Sequence, residues 1–391
     1  MHREFESIGT ERVTRRGFTL LRGESLLMLA FFLTVILTNQ ISSGMTGTGY
    51  YFILTVSLLY GGLCLLKNVK LVWLSIIFST GMIGLGVLNH LVSGNIAVLR
   101  IFLCVCGLFW ALVMIQQDLD ERIALVAYGM NVAIVVFRFA VNGLYEPVYL
   151  YSSNNYISIY LLAPLVMYYI QSERHKVKIR LIPGIVALAI SFVAGSRGGF
   201  LTCAILFTGI VVYRYFAGSR NKTAKFALFA VLFVIGFLVV ISFLPRFVEK
   251  FSDLRVVSRF TQIGMEGSGR EEAWEEYFSA VRSPKGFVFG ARLEGLYYMR
   301  QYNNNLHNSF LFIHAYFGIV GFLAVLGILA YDSLWGIRNG KWIYLLCLFV
   351  YLLRGLTDHL FGAHRLSPVF LFVLLYPVVL KRIRKKTLLE Q

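Results

Sequence analysis

The sequence predicts an all-α polytopic membrane protein with about twelve transmembrane helices, both termini in the cytoplasm and one large, partly helical periplasmic loop. Three observations carry that prediction. Of 391 residues, 58% are hydrophobic and 15% charged, against about 25% charged in a soluble domain, so little of the surface is built to face water. The apolar residues fall in long blocks, such as Leu26 to Leu37, Tyr51 to Leu66 and Ala227 to Leu244, close to the ~20 residues that cross a bilayer core. The basic residues collect in alternate gaps between those blocks. A buried core helix explains one such block but not about twelve of them.

The elements follow in order. Residues 1–23 are basic and polar through Arg22, and no small-residue cleavage site follows, so they read as a cytoplasmic tail before a retained first helix. Nine helices fill 24–244, at 24–41, 50–66, 71–92, 96–115, 122–142, 156–171, 181–195, 200–215 and 226–244. Residues 245–308 form the large loop. Three more helices, 309–331, 342–355 and 366–380, complete the transmembrane part, and 381–391 is a second basic tail.

Alternating sides from a cytoplasmic N-terminus tests this count. The inner gaps hold Lys67 and Lys70, then Arg122, then Arg174, Lys176, Lys178 and Arg180. They continue with Arg214, Arg220, Lys222 and Lys225, then Arg338 and Lys341, and end with the basic tail from Lys381 to Lys386. The short outer gaps around Ser43, Gly94 and Ser153 hold almost none, as the positive-inside rule requires. A formal net charge of +17 would suit nucleic acid only if it were gathered on a soluble face, so its distribution points instead to orientation in a membrane and contact with anionic lipid. The five cysteines all lie in apolar blocks, none in the polar loop, so no structural disulfide is expected.

The loop has its own pattern. Its basic residues are mostly arginine: Arg246, Arg255, Arg259, Arg270, Arg282, Arg292 and Arg300, whose planar fork suits phosphate oxygens. Phe247, Phe251, Leu254, Val257 and Phe260 recur at helical spacing beside Arg246, Lys250, Arg255 and Arg259, as in a basic amphipathic helix on a membrane surface. A second helix is expected from Ser268, where Ser268 and Glu271 make a capping box. Trp274, Phe278 and Val281 form its apolar stripe, and Pro284 with Gly286 are expected to stop it.

Chemistry concentrates in three places at the outer boundary. Gly195-Ser196-Arg197-Gly198-Gly199 sets an arginine at a membrane boundary beside glycines that permit close approach of a ligand. A snorkelling arginine in a tight turn is the alternative reading. Gly267-Ser268-Gly269-Arg270 opens the capped helix, whose N-terminus favours anions such as a diphosphate, or else simply exposes an arginine beside a turn. Asn303-Asn304-Asn305-Leu306-His307-Asn308-Ser309 brings a histidine, the side chain best matched to proton transfer near neutral pH, to the point where the loop re-enters the membrane. A lone histidine also serves as a structural hydrogen-bonding group. Arg354, Asp358, His359, His364 and Arg365 lie near the last outer turn, where ion pairing at helix ends is favoured over substrate contact and no metal-ligand spacing is present. Arg100 and Arg138 are further candidates for lining a polar groove.

Ser196-Arg197-Gly198-Gly199-Phe200, Gly269-Arg270 with Trp274, Pro284-x-Gly286, and His307-Asn308-Ser309-Phe310-Leu311 with Gly318 and Gly321 occur in this order. With them the chain resembles the bacterial O-antigen polymerase and ligase family, specifically over about residues 190–325. The resemblance implies a GT-C-like membrane fold, similar to that of the peptidoglycan polymerases of the shape and division family. It implies metal-independent, inverting transfer of glycans carried on undecaprenyl diphosphate, with no cofactor. On that reading Arg197 and Arg270 hold the diphosphate and stabilise the leaving charge. His307 orients or deprotonates the attacking sugar hydroxyl, or contacts the diphosphate.

The candidate set is therefore His307, Arg270 and Arg197 for catalysis. Ser196, Asn308, Arg259, Arg354 and Asp358 join Arg197 and Arg270 for contacts to diphosphate or glycan, and no metal ligand is assigned. Polymerisation of lipid-linked repeat units, on the periplasmic side of a bacterial inner membrane, is the favoured activity. Its partners are the undecaprenyl-diphosphate-linked donor and acceptor, membrane lipids and a candidate chain-length regulator, without nucleic acid. Ligation to lipid A-core is the nearest alternative, because the shared motifs serve donor binding in both. A lipid-linked oligosaccharide flippase is the alternative from another class, disfavoured by unlike halves and polar residues gathered on one outer face.

Overall fold

The computed structural model describes residues 22–38, 43–96, 98–143, 148, 153–216, 270–301, 305–361 and 364–387. The helix expected at 226–244, the surface helix with Arg259, the Gly267-Ser268-Gly269 turn with its Ser268 cap, and Asn303 and Asn304 lie outside these residues. Among the described residues all regular structure is helical: α1 (Gly23–Leu37), α2 (Ser43–Leu65), α3 (Val69–Ser93), α4 (Val98–Gln116), α5 (Glu121–Asn142), α6 (Asn155–Arg174), α7 (Ile182–Val193) and α8 (Arg197–Phe216). The chain continues with α9 (Arg270–Ala280), α10 (Pro284–Phe289), a 3-10 turn at Leu293–Gly295, α11 (Tyr297–Gln301), α12 (Ser309–Arg338), α13 (Trp342–Thr357) and α14 (Ser367–Thr387).

Six of these are long and apolar enough to cross a membrane: α2 from Thr48, and α3, α4, α5, α8 and α12. Three shorter apolar helices, α1, α7 and α13, accompany them. Large apolar side chains such as Trp73 (61% exposed) and Leu91 (76%) on α3 point away from the protein. A face of that kind is stable against lipid and not against water. This is the make-up of a helical membrane protein.

The interior is organised by α4 and α6. α4 packs against α2, α3 and α14, and from Cys104 to Ile115 nearly all of its side chains are buried. α6 is buried continuously from Ile157 to Ser172, with neighbours α5, α7, α8 and α13. Read from sequence as a span at 156–171, it carries tyrosines and serines and is enclosed by protein rather than lipid. A helix surrounded by protein can carry polar atoms that find partners there: Tyr169 donates its hydroxyl to the Arg180 carbonyl at 3.3 Å, and the Tyr160 carbonyl accepts from Asn131 at 3.1 Å.

Polar locks close the end of the bundle that carries most of the basic residues. Asp120 caps α5 by accepting the Arg122 amide at 2.9 Å. His175 sits between Asp118, at 3.0 Å, and Glu121, at 2.6 Å, while Arg174 pairs with Asp118 at 2.6 Å. Glu173 accepts the Ile343 and Tyr344 amides, each at 3.2 Å, capping α13 from a distant part of the chain.

At the opposite end α12 is broken. Gly318 has φ 66° and ψ −172°, and a Cβ there would collide with the Val288 carbonyl of α10. Only glycine tolerates both the left-handed backbone and that approach. Beside the break, the Ala315 carbonyl accepts from Asn89 (2.9 Å) and Asn95 (3.0 Å). Asn89 also donates to the Phe289 carbonyl and Asn95 to that of Ala291. The loop thus threads into the break and is tied there to the end of α3. His314 fixes it further, contacting Tyr277 of α9 and the Phe287 carbonyl, each at 2.8 Å.

One loop boundary differs from expectation. α9 ends at Ala280, and Pro284 does not stop it but opens α10, because the Ser283 hydroxyl accepts the Gly286 amide at 3.0 Å with proline at the first helical position. Gly286 lies within that short helix, against the Ala280 carbonyl.

Candidate functional site

Five helix ends meet beneath the loop: the N-termini of α6, α8, α9 and α12 and the C-terminus of α13. Each contributes part of one charged cluster.

Asp358, the residue that ends α13, is its centre. The residue is 1% exposed. One carboxylate oxygen accepts from Arg354 Nη2 at 3.1 Å, and the other stands 3.5 Å from His307 Nδ1. Tyr156, at the start of α6, also lies beside this carboxylate. Burial alone would raise the pKa of Asp358, but Arg354, then His307 and Arg270, hold it well below the ordinary carboxylate range.

Arg354 is 2% exposed and ties α13 to α6. Besides Asp358 it donates to the Asn155 carbonyl at 3.1 Å and to Thr357 Oγ1 at 2.7 Å. Its Nε is buried without a hydrogen-bond partner among the described residues. Arg354 and Asp358, expected among the substrate contacts, thus engage mainly the protein itself.

Arg270 is the first residue of α9. Its Nη1 donates to the Thr357 carbonyl at 2.8 Å. Its basicity is lowered by burial first and by the like charges of Arg354 and Arg197 besides, with Asp358 opposing. Trp274 anchors the same helix by donating to the Leu306 carbonyl at 2.6 Å, which ties α9 to the residue before His307.

Arg197 opens α8. Ser196 caps that helix by accepting the Gly199 amide at 3.2 Å. Gly199 lies so close to α6 that a Cβ would strike the Ser158 side chain, and Gly198 faces Thr357 and Arg354. The two glycines let α8 approach α6 and α13 closely enough to bring Arg197 into the cluster.

His307 has φ 47°, a left-handed conformation uncommon for a residue with a side chain and concentrated at functional positions. Asn305 accepts its amide at 2.8 Å. Asn308 caps α12, accepting the Phe310 and Leu311 amides at 2.9 and 3.2 Å. Ser309 donates to the Asp358 carbonyl and accepts the Leu360 amide, both at 2.7 Å, so the start of α12 is bolted to the end of α13. The Asp358 carboxylate faces Nδ1 of His307 at 3.5 Å and orients the ring toward the cluster.

The cluster brings together Arg197, Arg270, His307, Arg354 and Asp358 from widely separated parts of the chain, with Ser196 and Asn308 supporting two of the helix starts. Three guanidinium groups face a single carboxylate, an excess of two positive charges. Four helix N-termini add their positive ends. Such a place suits a multiply charged anion, next to a base held by a carboxylate. Sequence reasoning missed Thr357, Asn155 and Tyr156, which contribute backbone carbonyls and hydroxyls. Their only sequence signal is their position at the same outer boundary as the arginines. Arg100 lies elsewhere, donating to the Tyr316 hydroxyl at 2.9 Å.

No protein-family model, curated protein or solved structure matches the chain.

Proposed function

We propose that this chain is a membrane glycosyltransferase that polymerises undecaprenyl-diphosphate-linked oligosaccharide repeat units, of O-antigen or a related surface polysaccharide, on the periplasmic face of a bacterial inner membrane. The observation that supports it most is the convergence of Arg197, Arg270 and His307 on the buried Asp358–Arg354 pair. A diphosphate leaving group needs concentrated positive charge, and a sugar hydroxyl needs a base within reach. Both are present at one end of the bundle. The turns at the other end hold Lys67, Lys70, Arg174, Lys176, Lys178, Arg180, Arg338 and Lys341, which supports a cytoplasmic location for that end.

In the proposed step, an acceptor hydroxyl attacks the anomeric carbon of the donor glycan. The bond from that carbon to the diphosphate oxygen breaks, and its electron pair leaves with undecaprenyl diphosphate. The hydroxyl proton passes to the imidazole of His307. Arg197 and Arg270 stabilise the growing negative charge, while Asp358 and Arg354 are positioning residues. One displacement without a protein nucleophile inverts the anomeric configuration.

The test is reconstitution of the purified protein with a single lipid-diphosphate-linked repeat unit. A ladder of products supports the polymerase. Transfer only after lipid A-core is added marks a ligase instead. Translocation without any new glycosidic bond would overturn the enzyme reading in favour of a flippase.

A further inference from the structure

A second basic group stands at the same outer end of the bundle, and it begins at His359, the residue after Asp358. The His359 ring lies flat on Phe312 of α12, with centroids 3.8 Å apart. The Tyr316 ring is 6.5 Å away and the His364 ring 5.1 Å. Arg100, exposed near the start of α4, donates to the Tyr316 hydroxyl at 2.9 Å. That partner is neutral, so the contact does not offset the guanidinium charge. Arg365 follows His364. Its carbonyl accepts from Tyr50 of α2 at 3.1 Å, a bond that fixes its backbone and does not use its guanidinium. Cys104, one turn below Arg100, lies beside both Tyr50 and Tyr316. The two arginines therefore border the same part of α4, and His359 links them through Tyr316 and His364.

The setting defines the class of ligand. Arginine forks match phosphate oxygens, and arginines at a membrane boundary tend to serve a partner or a pathway. Toward the membrane interior, an open apolar groove is lined by Cys104, Ile313, Phe317, Ser367 and Phe370 among others. Cys104 is one turn from Arg100, and Ser367 two residues from Arg365. A phosphate held by the two arginines thus has apolar space beneath it. That arrangement suits a phosphate carried on a lipid better than a soluble one.

We infer that Arg100 and Arg365, with His359, bind the phosphate group of a second membrane-anchored ligand, separate from the diphosphate at Arg197 and Arg270. Two sources share this chemistry, the diphosphate of the acceptor and the headgroup of an anionic phospholipid. The proposed polymerisation calls for the first, and the acceptor assignment rests on that reading. In that reaction donor and acceptor each carry a diphosphate. The donor's is at the bond that breaks, whereas the acceptor's is separated from the attacking hydroxyl by the sugars of its own repeat unit. One cluster cannot hold both, so a second basic site at the same membrane level is required.

The full-length protein in detergent is titrated with undecaprenyl diphosphate, and bound equivalents are counted by native mass spectrometry. The wild type should bind two. Arg100→Gln/Arg365→Gln should keep one and bind the other at least about tenfold more weakly, as expected for the loss of charge-assisted contacts. Arg365→Gln alone serves if the double variant does not fold, because the Tyr50 bond uses only the backbone of that residue. Added phosphatidylglycerol separates the two sources. Two equivalents retained in its presence support the acceptor; loss of the equivalent that depends on Arg100 and Arg365 supports a phospholipid headgroup at the same phosphate site. Equal counts and affinities in the wild type and the folded variant would overturn the site. The lipid-diphosphate reading of the first cluster fails separately, if Arg197→Ala/Arg270→Ala binds as many equivalents as the wild type and as tightly.

Discussion

His307 Nδ1 stands 3.5 Å from one carboxylate oxygen of Asp358, and Arg354 Nη2 occupies the other at 3.1 Å. The carboxylate thus joins the start of α12 to the end of α13. Removing Asp358 would cost both structure and chemistry. Asp358→Ala leaves Arg354 buried without its counter-ion, and the expected loss is about 3–5 kcal/mol of stability. An Arg354→Met/Asp358→Leu double variant should recover much of that loss in detergent-solubilised thermal unfolding, yet yield no glycan product.

Arg197→Ala and Arg270→Ala should each lower the polymerisation rate by about 10²–10³-fold, the usual effect of deleting one group that stabilises developing negative charge. His307→Ala should lower it by about 10²–10⁴-fold, as expected for loss of a general base. Membrane insertion should not change in any of the three. Normal product from all three at matched protein levels would show that the cluster is not the reaction centre.

Gly318→Ala should be strongly disruptive for a local reason. The new Cβ meets the Val288 carbonyl, and the backbone is already in the left-handed region, so the cost should exceed about 1 kcal/mol. Asn89→Ala, which strands the Phe289 carbonyl and weakens the bonding of the Ala315 carbonyl, should cost about 1–3 kcal/mol. Hydrogen exchange is the measurement of choice. Faster exchange should be confined to α9, α10 and the outer end of α12, with the α4–α6 interior unchanged.

The far end of the bundle has a pH signature. Burial works to lower the basicity of His175, but hydrogen bonds and charge from Asp118 and Glu121 outweigh it and raise its pKa to about 9. Folding therefore favours the protonated ring. Its stabilisation is complete below the unfolded value of about 6.5 and is lost as pH rises through about 9. Unfolding temperature should fall across that window in the wild type, and His175→Gln should remove this part of the slope. An unchanged slope in the variant would contradict the lock.

Much of the helical skeleton was legible in the sequence, because apolar runs near the bilayer thickness and basic gaps are local properties. α3, α4 and α5 begin and end within two residues of the stretches read from the chain. The Arg354–Asp358 pair was legible too, since residues four apart share a helix face. The burial of α6 on all sides was not, because its mixture of tyrosine, serine and aliphatic residues reads as a moderate span until its neighbours are known. The break at Gly318 was hidden for the same reason. Gly318 stood out in the sequence, but only the approach of α10 and the donors Asn89 and Asn95 make it a turning point. The three arginines could be named from sequence, but their meeting over Thr357 and Asp358 depends on contacts between distant segments.

The most direct test of the central claim is the single-substrate reconstitution, read for polymer and released undecaprenyl diphosphate together. The account predicts a ladder in the wild type with one undecaprenyl diphosphate released per glycosidic bond, and neither product from His307→Ala. Substrate that remains unlinked, or a ladder that persists unchanged in His307→Ala, would contradict it.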